Sequence, residues 1–134
     1  MATIDPHPAR SRMRSLLLPG LIVFIAGCGA PSTEDWVQQL KSPEVVKRRE
    51  AIRELGSRTA EAPTIVPALA EALRDESGYV RHDAAVTLGK FGAEAQAAVP
   101  ALRESLKDRE ASVRKAAAAA LKKIDPQTAA KAGK

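Results

Sequence analysis

Aromatic side chains are nearly missing from this chain of 134 residues: Phe24, Trp36, Tyr79 and Phe91 are all it has. A β-sandwich or barrel builds its strands from aromatic and β-branched residues, so this scarcity, beside abundant alanine, excludes both and indicates closely packed helices. Cysteine occurs once, at Cys28, which rules out an internal disulfide and a cysteine-built zinc site. The longest apolar run, residues 16–26, would rise only about 16 Å as a helix, half the hydrocarbon core of a bilayer. It is too short to span one. No serine lies in a nucleophile-elbow context and no glycine-rich loop follows a strand pattern. The sequence therefore offers no catalytic constellation, and no enzyme activity or cofactor is expected.

Charge of one sign is also lacking. The chain holds 21 basic and 16 acidic residues, a net +5. Arg10, Arg12 and Arg14 against Asp5 belong to the N-terminal segment, and without it 18 basic and 15 acidic residues remain, well interspersed. Nucleic-acid binding needs charge clustered on one face, and none is predicted. The one basic run, Lys47-Arg48-Arg49 with Arg53, has Glu44, Glu50 and Glu54 at helical neighbour distances. The spacing predicts that much of this charge pairs along its own helix.

What is present begins at the N-terminus. Three arginines, the apolar residues 16–26 and then small residues before a cysteine have the anatomy of a secretory signal. Ile25-Ala26-Gly27-Cys28 resembles the bacterial lipobox. The resemblance implies cleavage after Gly27, a diacylglyceryl thioether on Cys28, and a lipid-anchored protein of the cell envelope. Gly29 after the cysteine, where enteric bacteria mark inner-membrane retention with aspartate, points to the outer membrane. Either Met1 or Met13 can serve as the start. Residues 1–27 are thus read as a signal peptide and residues 28–32 as a short lipidated tether.

From residue 33 the chain repeats with a period of 33. Asp75, Val80, Arg81, Ala84, Ala85, Leu88 and Lys90 recur as Asp108, Val113, Arg114, Ala117, Ala118, Leu121 and Lys123. Extended backwards, the shift aligns Trp36, Leu69 and Leu102; Arg48, Arg81 and Arg114; and Leu55, Leu88 and Leu121. Three copies result, at 34–66, 67–99 and 100–132. A period of this length marks a solenoid, whose units bury their apolar faces only by stacking.

Each copy divides into two amphipathic patterns. A first helix, A, is predicted over 33–41, 64–74 and 96–107, with Pro67 and Pro100 in the first turn; Ser32 is its cap in copy one. A second helix, B, is predicted over 43–58, 77–91 and 111–124, with Pro43 at the first helical position of copy one. Beyond Asp125-Pro126 the apolar pattern fades, and residues 126–134 are expected to form a flexible tail.

The D-x-x-x-x-V-R-x-x-A-A-x-x-L register, with V-P-A-L at 66–69 and again at 99–102, resembles the HEAT repeat in its short bacterial form, also called the phycobilisome-lyase-like repeat. The resemblance implies an all-α solenoid of three helical hairpins over 33–125, with the B helices lining a concave face. Copy one departs from the pattern at Ser42 and Lys47, as a terminal unit does.

The recurring Asp75 with Arg81 and Asp108 with Arg114 read as a structural ladder between units. His82 lacks the repeated His-Glu pairs of iron-binding HEAT-like hydroxylases, and the adjacent His82 and Asp83 are expected to diverge, so no metal site is predicted. The residues that the ladder leaves over on the B helices, Tyr79, His82, Asp83, Lys90, Lys115 and Lys122, are the candidate contacts for a protein or peptide partner. The expected function is a membrane-anchored scaffold or adaptor. The alternatives are an accessory subunit of a lyase-like enzyme and a nucleic-acid-binding module. Three repeats are few, so self-association through an open end is a further expectation.

Overall fold

The computed structural model describes residues 29–132. The predicted cleavage site and lipid attachment point, Gly27 and Cys28, lie outside them. Among the described residues seven α-helices follow one another: α1 (Thr33–Gln39), α2 (Val45–Leu55), α3 (Ala62–Ala72), α4 (Gly78–Phe91), α5 (Val99–Ser105), α6 (Ala111–Ile124) and α7 (Pro126–Ala132). Short 3-10 stretches occupy Thr59–Glu61 and Gly92–Ala98, and no strand occurs among the described residues. None of their helices is long and apolar enough to cross a membrane.

The helices form two layers, as an α-solenoid requires. α1 packs on α2, α3 on α4 and α5 on α6, which makes three hairpins. Between hairpins α4 lies against α2 on one side and α6 on the other, while α3 meets α1 and the 3-10 stretch before α5. The B helices start at Val45, Gly78 and Ala111, so the sequence period is kept in the structure to the residue.

The core repeats with the same period. Leu55 and Leu88 are fully buried, Leu121 nearly so, and Ala51, Ala84 and Ala117 lose all exposure. Alanine at these positions lets adjacent helices approach closely, while leucine, isoleucine and valine fill the space between layers. Ile52, Ile65, Leu69 and Leu102 complete the apolar centre.

A row of ion pairs ties the units together. Arg48 Nη2 donates to Asp75 Oδ1 at 2.9 Å, with Nε 2.8 Å from Oδ2. One unit on, Arg81 donates through Nε and Nη2 to both carboxylate oxygens of Asp108, at 2.8 and 3.1 Å. Each arginine therefore grips the aspartate of the following unit. The Nη1 group of each turns to its own inter-helix turn: Arg48 to the carbonyls of Ser42 and Pro43, Arg81 to those of Asp75 and Glu76. The aspartates also accept a backbone N–H two residues on, from Ser77 and Glu110. Ser42, which stands in the aspartate's place in the first unit, accepts the equivalent bond from Glu44. It keeps the turn and omits the charge.

Several boundaries differ from those read in the sequence. α1 is capped as expected: Ser32 Oγ accepts from the Asp35 N–H and the Asp35 carboxylate accepts from the Ser32 N–H, a capping box. α2, however, begins at Val45 with Pro43 ahead of the cap, because the Ser42 and Pro43 carbonyls are held by Arg48. α3 begins at Ala62, which puts Pro63 in its first turn and Pro67 inside it. α5 begins only at Val99, since Gly92 at φ +55 ends α4 and non-helical Ala95 interrupts the stretch that follows. The tail expected to be flexible is helical over Pro126–Ala132. Asp125 accepts the Thr128 N–H at 3.1 Å and its hydroxyl as well, which starts α7 beyond the proline.

Candidate functional site

The B layer exposes a shallow groove between α2 and α4. It encloses about 230 Å³ and is lined by Arg49, Ile52 and Arg53 from α2 and by His82, Asp83, Val86, Thr87 and Lys90 from α4. Ile52 and Thr87 are buried at its floor, and the other side chains turn outward because the buried stripes of α2 (Arg48, Ala51, Ile52, Leu55) and α4 (Val80, Ala84, Leu88) face the core. The large apolar side chains left exposed among the described residues are Val46 at 76%, Tyr79 at 70% and Val86 at 40%, all three on these helices.

An ion pair crosses the groove. Arg49 Nε lies 2.7 Å from Asp83 Oδ2, and its guanidinium carbon sits 5.4 Å from the centre of the Tyr79 ring. The hydrogen bond to Asp83 is the main cause that holds the Arg49 pKa above its ordinary value. His82 Nδ1 is 3.3 Å from Asp83 Oδ1. The His82 and Asp83 side chains thus meet, where the sequence reading had them diverge, and His82 and Arg49 share the one carboxylate. Among the described residues no three His, Cys, Asp or Glu side chains converge as metal ligands do.

Of the six residues singled out in the sequence, Tyr79, His82, Asp83 and Lys90 gather on α4 along or beside this groove. Lys115 and Lys122 do not join them. Both are exposed on α6, and Lys122 has a separate significance in the repeat register, where it follows Gly56 and Gly89. A Cβ on Gly56 would come within 2.9 Å of Thr87 Cγ2, and one on Gly89 within 3.2 Å of Ala120 Cα. Glycine at this position is what lets the next B helix close in, and lysine ends the series.

Sequence reasoning missed Val46, Arg49, Arg53 and Val86. The period held the signal, because Val46 and Tyr79 share one register position, as do Arg49 and His82, and Arg53 and Val86. The basic run was expected to be paired along its own helix. Only Lys47 is, with Glu44 at 2.6 Å; Arg48 and Arg49 reach across to the next unit, and Glu50 accepts from the Gln39 amide.

Residues 33–122 match the family described as HEAT repeats. Among solved structures, the complex of CpcE and CpcF of phycocyanin lyase from Nostoc sp. PCC7120 contains a similar chain, with 28% sequence identity and a TM-score of 0.68. The match covers 98% of this chain and 45% of that one, so this chain spans less than half the length of its structural relative. No curated protein matches.

Proposed function

The chain belongs to the HEAT-repeat family, and from that premise we propose that it is a protein-interaction scaffold held at a bacterial membrane by lipid on Cys28. The observation that carries the reading is where the exposed apolar side chains lie. Val46, Tyr79 and Val86 all lie on two adjacent B helices, Val86 in the groove between them and Tyr79 beside Arg49 of its wall, and aromatic side chains are favoured in the centre of protein interfaces. In HEAT proteins this flank is the concave, partner-facing side. The tether of residues 28–32 is short, so the anchored domain stays close to the bilayer of the cell envelope, with the outer membrane favoured by Gly29.

Mass spectrometry of the N-terminal peptide tests the anchor. An acyl-modified Cys28 and release of a Cys28→Ser variant into the soluble fraction are expected; a membrane-bound variant together with an unmodified wild type would refute it. Photo-crosslinking from position 79 tests the face, with a discrete protein adduct expected there and none from position 104 on α5.

A second reading has one supporting observation, the 28% identity to a chain of a phycocyanin lyase complex. In that reading the protein is an accessory subunit that helps handle a chromophore. Its mark is visible absorbance that copurifies with the protein or appears on addition of a free bilin.

A further inference from the structure

The two layers of the solenoid differ in charge. The helices α2, α4 and α6 carry ten arginines and lysines against three acids, Glu50, Glu54 and Asp83. The helices α1, α3 and α5 carry one arginine against four acids. Much of the basic charge is already committed. Arg48 and Arg81 are buried in the inter-unit ladder, Lys47 is paired with Glu44, and Arg49 with Asp83. Arg53 and Lys90, one on each wall of the groove, meet no carboxylate among the described residues. The exposed apolar surface of the groove is Val86, with the buried Ile52 beneath.

We propose that this groove docks an acidic segment of a protein partner, with carboxylates against Arg53 and Lys90 and an apolar side chain on Val86. The proposal rests on the reading of the B-helix flank as a protein-binding surface and names the chemistry of what binds there. An excess of basic charge over one layer steers an acidic partner to that layer, and the unpaired cations fix its register.

The groove itself selects against other polyanions. Asp83 sits in its wall. A nucleic-acid strand carries a phosphate on every nucleotide and cannot keep charge away from this carboxylate. An anionic bilayer is flat and reads net charge, and it does not fill a depression of about 230 Å³. A peptide places its carboxylates at chosen steps and can set an uncharged residue over Asp83.

The test is a random peptide library displayed on phage and selected on the full chain in detergent. Recovered peptides are expected to be rich in Glu and Asp around an apolar residue. A chain carrying Arg53→Glu and Lys90→Glu should bind them about tenfold or more weakly, in the range of a lost charge pair, whereas Arg103→Glu on α5 with Lys107→Glu in the turn after it should not. Circular dichroism establishes that both variants are folded. Recovered peptides that are neutral or basic, yet are lost on Tyr79→Ala with Val86→Ala, would overturn the acidic partner and leave the protein-binding face standing. No recovered peptide, or peptides indifferent to every one of these substitutions, would overturn both. Binding of phosphatidylserine vesicles or a single-stranded oligonucleotide that depends on Arg53 and Lys90, with no peptide recovered, would assign the groove to those ligands and overturn the proposal.

Discussion

Gly89 approaches the following unit so closely that a Cβ on it would lie 3.2 Å from Ala120 Cα and 3.4 Å from Ala120 Cβ. Backbone cannot swing aside as the end of a long side chain does. Alanine is the better helix former by about 1 kcal/mol, but overpacking here costs about 1–3 kcal/mol. Gly89→Ala is therefore expected to destabilise the domain by about 1 kcal/mol, read as a lower urea midpoint with an unchanged slope.

Asp108 is held by two hydrogen bonds from Arg81, and both side chains are nearly buried. Asp108→Asn leaves the guanidinium without its counter-charge and is expected to cost about 3 kcal/mol. The pH dependence follows from the same contact. The Arg81 hydrogen bond is the largest cause that lowers the Asp108 pKa below 3.8. A depressed carboxylate pKa adds stability above the unfolded value and loses it as pH falls through the folded one. Thermal melting of the wild type should thus weaken as acidification passes below about pH 4, and Asp108→Asn should flatten that slope.

Asp125 caps α7 through the Thr128 N–H and hydroxyl, and the hydroxyl contact is the main cause that lowers its pKa. Removal of an N-cap leaves a backbone N–H of the first turn without its partner, which melts a helix of one or two turns. In Asp125→Ala, amide exchange over residues 126–132 is expected to accelerate while α6 keeps its protection.

Lys122 stands where Gly56 and Gly89 stand in the units before it. A long charged side chain at the point of closest helix approach resists stacking of another unit. Lys122→Gly is expected to make the detergent-solubilised protein associate with rising concentration in sedimentation, and to a greater extent than wild type. Equal behaviour of the two proteins would show that Lys122 does not guard that end.

The period, the hairpins and the core were legible because they depend on residue type at fixed intervals. α6 was placed to the residue, and Leu55, Leu88 and Leu121 fall in the core as their register predicts. The ladder residues were legible as a set, but their pairing was not. Asp75 and Arg81 share one unit, yet the carboxylate of Asp75 meets Arg48. The period identifies equivalent positions, whereas the reach of a side chain depends on how far one unit is displaced from the next. The groove escaped for the same reason, since Arg49 meets Asp83 only after α2 and α4 are laid side by side. α7 was lost differently. Asp125 followed by Thr128 is a capping signal, but a stretch of small polar residues gave no apolar stripe to read it against.

The forward grip of each arginine on the next aspartate makes the unit a transferable part. One period brings an aspartate that accepts from the unit before and an arginine that donates to the unit after, together with a glycine that admits its neighbour. A duplicated middle period, residues 67–99, inserted between the second and third would meet a matching partner at both junctions. The same duplication out of phase would strand a guanidinium in the core. A gene for such a protein can lengthen by whole periods at little cost to folding, and hardly at all by fractions of one.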